Sequence, residues 1–217
     1  MSEHDTSGES IRQAASESVA SGEAIRERVR ELTLQALQAR RLDLHGMREV
    51  MRAMTEGISL GAQRRGGDVR EALSEAFAGM DQAVSKAAHA SSLALKEMSA
   101  RGREFTDTEL RQGLERMRSM EGDLLSAVRD ISQATGGAVK SEWESLSAHL
   151  QNAGTDTGRV VSQTAREFSA RVTSAMSEGA VAGMEAARLF GERFTAMASG
   201  ILAGMSEALR KERQDKS

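Results

Sequence analysis

The stretch from Val161 to Ala208 has the sequence VSQTAREFSARVTSAMSEGAVAGMEAARLFGERFTAMASGILAGMSEA. Its apolar and small residues recur in steps of three, four and four, so the pattern repeats every eleven residues without a slip. Eleven residues in three turns give about 3.67 residues per turn, which is close to the period of a straight α-helix. The stretch therefore predicts a long helix whose apolar residues stay on one side.

We call the apolar side of this helix the interaction stripe. Charged residues such as Arg171, Glu185 and Arg188 fall between its members. The predicted helix covers residues 156–211, and at about 1.5 Å per residue it would extend roughly 84 Å. The stripe consists of Val161, Phe168, Val172, Met176, Phe190, Phe194, Met197, Ile201, Met205 and Leu209.

The rest of the chain also has the composition of helices. Proline is absent, strong helix formers dominate, and β-branched runs bounded by turn residues do not occur. We therefore expect an all-α fold, an elongated, coiled-coil-like bundle of long amphipathic helices with no β-sheet. The predicted helices cover residues 10–20, 22–40, 43–63, 68–101, 106–135, 138–153 and 156–211.

Cap residues and glycines set these predicted boundaries. A cap residue followed three positions later by Glu or Gln has the spacing of a capping box. Ser10 with Gln13, Asp68 with Glu71 and Thr106 with Glu109 have this spacing, and Gly66-Gly67, Gly102, Gly136-Gly137 and Gly154 lie at predicted helix ends.

Four regions follow from this segmentation. We predict a disordered N-terminus over 1–9, a region of shorter helices over 10–65, a long amphipathic region over 66–211 and a disordered tail over 212–217. The role of the 10–65 region is open at this point, docking and oligomerisation both being compatible with its short helices and regular charges.

Composition excludes several classes of protein. The 217 residues carry 29 basic and 32 acidic side chains, a balance that argues against a dedicated nucleic-acid-binding protein. With no cysteine there is no disulfide framework. No run approaches the roughly 20 apolar residues of a transmembrane helix, and the acidic, polar N-terminus is unlike a signal peptide. We expect a soluble, cytoplasmic protein.

Motifs that carry chemistry are weak. Gly57-Ile58-Ser59-Leu60-Gly61 has the letters of a nucleophile elbow, but that motif requires a strand-to-helix turn and here it follows a helical stretch. The segment 136–141 lacks two glycines of a phosphate loop, and the four histidines lack metal-binding spacing. We therefore expect no enzymatic activity, no cofactor and no metal.

Three glycine pairs have the spacing that lets helix backbones approach closely. They are Gly57 with Gly61, Gly179 with Gly183, and Gly200 with Gly204. Each pair predicts close packing against a neighbouring helix or, alternatively, only low side-chain bulk.

The interaction stripe has three competing explanations. It can be the core of an intramolecular bundle, which is the default for a soluble amphipathic helix. It can lie on a hydrophobic surface such as a granule, inclusion or lipid. It can form a subunit interface in a coiled-coil homo-oligomer. The polar faces mix Arg with Glu, so attraction to anionic lipid headgroups is not the driving force.

The proline- and cysteine-free, Ala/Ser/Gly/Met-rich composition and the eleven-residue repeat from Val161 to Ala208 resemble those of phasins, bacterial proteins that coat polyhydroxyalkanoate granules. The repeat is also similar to those of apolipoproteins and perilipins. The resemblance covers residues 68–211. It implies a non-enzymatic coat of a granule or lipid surface that self-associates. The alternative to this coat is a homo-oligomeric coiled-coil scaffold or partner-binding protein.

Overall fold

The structure is a computed structural model, which describes residues 8–40, 42, 44–65, 67–100, 107–168 and 184–214. The described part of the chain is helical, with short connections and no strand. Its helices are α1 (Gly8–Ala20), α2 (Ile25–Ala39), α3 (Leu44–Arg65), α4 (Val69–Ala100), α5 (Asp107–Ala134), α6 (Gly137–Ala153), α7 (Asp156–Glu167) and α8 (Met184–Gln214). The all-α fold predicted from the sequence is confirmed.

The helices stack as successive hairpins. Helix α3 packs on α1, α4 packs on α2, α5 packs on α3, and α7 and α8 both pack on α4. The contacts fix the relative direction of four helix pairs, α1 with α3, α2 with α4, α3 with α5 and α4 with α7. In each of these pairs the two helices run parallel. This order, in which equivalent helices of consecutive hairpins lie side by side, is that of helical-repeat arrays.

Successive contacts that advance in the same direction along both helices of a pair establish the parallel direction. Arg26 on α2 pairs with Glu75 on α4, and Arg30 contacts Gln82 further along both helices. The other pairs behave alike. Arg48 on α3 contacts Asp123 on α5, and Ser59 contacts Thr135, the residue after α5. Asp81 and Lys96 on α4 contact Thr157 and Glu167 on α7.

Helix α4 is the centre of the bundle and its buried side is rich in alanine. It packs against α2, α3, α5, α6, α7 and α8. The buried alanines on it are Ala72, Ala76, Ala83, Ala87, Ala88, Ala90 and Ala94, beside the larger Leu73, Phe77, Met80, Val84 and Leu95. Burying an alanine side chain contributes far less stabilising free energy than burying Leu or Phe, each of which contributes roughly 1.5–3 kcal/mol. The centre of the bundle therefore brings helices close together with little apolar area per contact.

Helices α1 and α3 approach each other closely. A Cβ atom added at Gly57 would overlap the carbonyl oxygen of Arg12, and one at Gly61 would overlap that of Ser16. The pair is therefore a close-packing site, as one of the two sequence interpretations predicted. Gly200 and Gly204 on α8 differ, because no atom of the described residues lies within 4 Å of a Cβ added at either. Gly179 and Gly183 lie outside the described residues.

The predicted single helix over 156–211 is wrong. Helix α7 ends at Glu167, and Phe168 has φ −102° and ψ 5°, outside the helical region. A straight helix of that length would extend well beyond α4, which has 32 residues and would span about 48 Å. Its distal apolar residues would then have no partner. Ending the first part at Glu167 allows both α7 and α8 to bury their apolar sides against α4.

Most other helix boundaries agree with the sequence prediction to within three residues. The Asp68 cap is confirmed, since its Oδ1 accepts a hydrogen bond from the Glu71 backbone N–H at 3.0 Å. The Ser10 cap is wrong, because α1 begins at Gly8 and Ser10 lies inside it. Thr106 lies outside the described residues. At the C-terminus α8 continues to Gln214, into the segment predicted to be frayed.

Candidate interaction surface

The described members of the interaction stripe lie on the inner side of the bundle. Val161, Phe168 and Phe194 are buried in the core, and Phe194 is only 2% exposed. Met197, Ile201 and Met205 are partly buried and pack against this core. Val172 and Met176 lie outside the described residues, as do the side chains of Phe190 and Leu209. The structure thus brings both halves of the stripe to one core, by way of two helices instead of one.

Helix α8 has three faces. Its inner face buries Phe194, Ala198 and Leu202. The partly buried Met197, Ile201 and Met205 lie along one edge of this face. The outer face is exposed and, besides charged residues, consists of small ones, namely Ala196, Gly200, Ala203 and Gly204. The apolar side of α8 is therefore wider than the part that the bundle buries completely.

Arg116 on α5 makes a polar contact with α8. Its guanidinium group donates hydrogen bonds to the Gly191 carbonyl oxygen and to Thr195 Oγ1, both at 3.1 Å. The guanidinium carbon lies 6.0 Å from the centre of the Phe194 ring, in the range of a cation–π contact. Partial burial lowers the pKa of Arg116, because the charged form loses hydration. On the other side of α8, Gln38 donates to the Leu202 carbonyl oxygen at 3.4 Å.

Helix α7 is attached to α4 through its N-terminus. The buried carboxylate of Asp81 on α4 accepts hydrogen bonds from the backbone N–H groups of Asp156 and Thr157, at 2.7 and 3.1 Å. It also accepts one from the Thr157 hydroxyl at 2.7 Å. The first N–H groups of a helix have no partner within the helix, and Asp81 supplies one from a neighbouring helix. The Thr155 side chain caps α7 in addition.

Burial raises the pKa of Asp81, because an ionised carboxylate is poorly stabilised away from water. The hydrogen bonds from Thr157 and the charge of Arg159 oppose this effect only in part. Further along α7, Thr164 donates to Ser92 at 2.9 Å and Glu167 pairs with Lys96 at 2.8 Å. Helix α7 is therefore tied to α4 by polar contacts along its whole length.

The described residues of the sequence motifs that suggested chemistry lie in helices and in the connections between them. Ser59 lies inside α3, is 2% exposed, and shares a hydrogen bond of 3.1 Å with the Thr135 hydroxyl. Thr135 and Gly136 connect α5 to α6, and Gly137, the first residue of α6, has φ +65°. His45 is exposed and pairs with Glu49 at 3.1 Å. Over the described ranges, no group of three or more His, Cys, Asp or Glu side chains is placed to hold a metal ion.

Sequence reasoning missed two sites that join distant segments. One is the Asp81 cap on α7, which joins residues 75 and 76 positions apart. The other is a charged groove between α3 and α5, described below. Both place a carboxylate of one helix against residues far away in sequence, and helical periodicity alone gives no signal for such a contact.

Fold and surface together define an all-α bundle whose amphipathic stripe closes its own core. None of the helices, as far as the structure describes them, combines the length and apolar character needed to span a membrane. The chain belongs to a family of unknown function, DUF6781, whose model matches residues 1–211. Comparison with curated proteins and with solved structures gives no match.

Proposed function

We propose that this protein is a non-enzymatic coat protein of the cytoplasm that binds the surface of a hydrophobic granule, inclusion or lipid body, in the manner of phasins. On such a surface, the interaction stripe would exchange its contacts with the bundle core for contacts with the apolar phase. In the closed bundle the described members of the stripe are buried or partly buried, so binding through the buried ones requires a part of the bundle to open.

The observation that carries this proposal is the alanine-rich centre of the bundle. Helix α8 packs mainly on α4, and α4 presents to its neighbours a row of buried alanines with few large side chains between them. Separating such helices exposes less apolar area than separating helices packed through Leu and Phe. The free-energy cost of opening is therefore modest. It is offset when an apolar surface takes up Phe194, Leu202 and the partly buried Met197, Ile201 and Met205.

Helix α8 is the segment that opens under this proposal. Arg116 and Gln38 hold α8 by hydrogen bonds to backbone carbonyl oxygens and to Thr195, whereas α7 is held by the buried Asp81 carboxylate, Ser92 and Lys96. Met197, Ile201 and Met205 on α8 are only partly buried, so part of their apolar surface is already accessible. The surface that it binds should be uncharged, because the outer face mixes acidic and basic side chains such as Glu192 and Arg193.

Co-sedimentation or flotation with neutral triglyceride droplets and polyhydroxyalkanoate particles tests the proposal. The unmodified chain should bind both, and the double variant Met197→Glu/Ile201→Glu should lose binding. The matched control is Ala196→Glu/Ala203→Glu, which adds the same charges to the exposed face of the same helix and should bind normally. Absence of binding by the unmodified chain, or equal loss in both variants, would reject the proposal.

A homo-oligomeric scaffold is the second candidate, and the outer face of α8 favours it. Gly200 and Gly204 have the spacing with which Gly57 and Gly61 receive α1, yet nothing in the described part of this chain packs on them. A second copy of the chain could pack its own α8 there. Sedimentation equilibrium should then show a concentration-dependent oligomer that the double variant Gly200→Leu/Gly204→Leu disrupts. A monomer at all concentrations would exclude the scaffold.

A further inference from the structure

A groove of about 590 Å³ lies between α3 and α5, apart from the interaction stripe. One wall consists of Arg48, Arg52 and Glu56, which follow one another at four-residue intervals on α3. The α5 wall carries the carboxylates Asp123 and Asp130. Apolar and small residues complete the lining, namely Thr55, Ser126, Ala127, Ile131 and Ala134. Volumes of this size accommodate small-molecule ligands.

Asp123 has an incompletely satisfied carboxylate in this groove. The residue is only 9% exposed, and its Oδ1 accepts a hydrogen bond from Arg48 Nε at 3.0 Å. Its Oδ2 is buried and has no hydrogen-bond partner in the part of the chain that the structure describes. A buried acceptor without a donor costs roughly 1–3 kcal/mol, and more when it is charged. The groove is therefore lined by a residue whose carboxylate is satisfied at only one oxygen by the described part of the chain.

The charges in the groove identify the kind of donor that would satisfy this oxygen. The three carboxylates outnumber the two guanidinium groups, and the Arg52 guanidinium is already engaged with Glu56 at 2.9 Å. An ammonium group supplies positive charge and three donors but no acceptor. The methylene groups of an aliphatic amine match the apolar part of the wall, formed by Ala127, Ile131 and Ala134.

We propose that the groove between α3 and α5 is a binding site for a linear aliphatic polyamine, with one ammonium group hydrogen-bonded to Asp123 Oδ2. Asp130 lies seven residues further along α5, about 10.5 Å along the helix axis, and receives a second ammonium group. The methylene chain between them lies along Ala127. This site is independent of the hydrophobic coat function.

Arg48 is the competitor of the ligand in this arrangement. Its side chain is 69% exposed and reaches over from α3 to the same carboxylate. Arg48 Nε already holds Oδ1, so an ammonium group has to share the Asp123 carboxylate with this guanidinium group. Removing the Arg48 charge should therefore strengthen binding, an outcome that a merely structural ion pair does not predict.

Isothermal titration calorimetry of the full chain with spermidine, 1,4-diaminobutane and butylamine at physiological ionic strength tests the site. We expect saturable binding of one spermidine, weaker binding of the diamine and weakest binding of butylamine. Asp123→Asn keeps the shape and the acceptor for Arg48 but removes the charge, and it should weaken spermidine binding about tenfold or more. Asp130→Asn should weaken the binding of spermidine more than the binding of butylamine.

Two further variants make the result decisive. Arg48→Met should tighten spermidine binding several-fold, whereas Arg111→Met, which removes an exposed charge on α5 outside the groove, should leave it unchanged. Glu115→Gln is the matched control for the loss of a carboxylate from α5. Equal weakening by Glu115→Gln and Asp123→Asn would reveal general charge attraction and overturn the proposal. Weaker spermidine binding by Arg48→Met, or the absence of saturable binding by the unmodified chain, would also overturn the proposal.

Discussion

The carboxylate of Asp81 on α4 accepts two hydrogen bonds from Thr157 on α7, one from its backbone N–H at 3.1 Å and one from its hydroxyl at 2.7 Å. Thr157 is completely buried, and a third bond comes from the Asp156 backbone N–H. The first turn of α7 is thereby fixed to the central helix of the bundle. This contact distinguishes α7, which stays in the bundle, from α8, which we propose leaves it.

Replacing Asp81 by asparagine should destabilise the bundle. One carboxylate oxygen becomes an amide group, which cannot accept the hydrogen bond from Asp156 or from Thr157. The free energy of unfolding should fall by about 1–3 kcal/mol, the cost of leaving a buried donor unsatisfied. Urea denaturation followed by Trp143 fluorescence measures this, since the chain has one tryptophan and no tyrosine. Glu115→Gln is the control at an exposed carboxylate, and an equal effect of both variants would contradict the assigned role of Asp81.

The pH dependence of stability should carry the signature of the raised Asp81 pKa. A carboxyl group whose pKa is higher in the folded than in the unfolded state takes up a proton more readily when folded. Its contribution to stability is therefore largest below the unfolded pKa near 3.8 and declines as pH rises through the folded pKa. The stability difference between the unmodified chain and Asp81→Asn should grow on acidification from neutral pH. A difference that shrinks over this range would contradict the direction of the shift.

Alanine substitutions at the two described glycine pairs should have opposite effects. Gly57→Ala and Gly61→Ala place a methyl group against the α1 backbone, and each should destabilise by about 1–3 kcal/mol through overpacking. Gly200→Ala and Gly204→Ala meet open space inside a helix, and each should stabilise by up to about 1 kcal/mol through helix propensity. Thermal unfolding by circular dichroism distinguishes these effects. Destabilisation by Gly200→Ala would mean that a partner already occupies that face.

Arg116 should control how readily α8 separates from the bundle. Arg116→Met retains length and apolar character but loses the hydrogen bonds to Gly191 and Thr195. Amide hydrogen exchange over the described helix α8 should become faster, while exchange in α1 and α3 stays unchanged, because local opening exposes only the released segment. Arg111→Met, an exposed neutralisation on the same helix, should leave the α8 exchange unaltered. Uniform acceleration across all helices would instead indicate a general loss of stability.

The fold could be predicted from the sequence where local signals were sufficient. Absence of proline, the helical periods and the cap at Asp68 gave the all-α class and most helix boundaries. The spacing of Gly57 and Gly61 predicted a close helix contact, although only the structure identifies α1 as the partner. These signals arise from residues within a few turns of each other.

The break after Glu167 could not be predicted from periodicity. An eleven-residue stripe is satisfied equally by one long helix and by two helices that return to the same core. The deciding factor is the length of α4, which offers a buried partner for only part of a 56-residue helix. The Asp81 cap and the groove at Asp123 also depend on which helices become neighbours, so they were absent from the sequence prediction.

The most direct test of the coat function is to ask whether α8 enters the apolar phase. Met197→Trp in a Trp143→Phe background places a single fluorophore on the partly buried edge of α8. When this variant is bound to triglyceride droplets, brominated triglyceride should strongly quench its emission. The native Trp143 on α6, buried in the bundle, should be quenched much less in the unmodified chain. Emission from position 197 that is the same on brominated and ordinary droplets would show that α8 does not enter the surface, contradicting the proposed function.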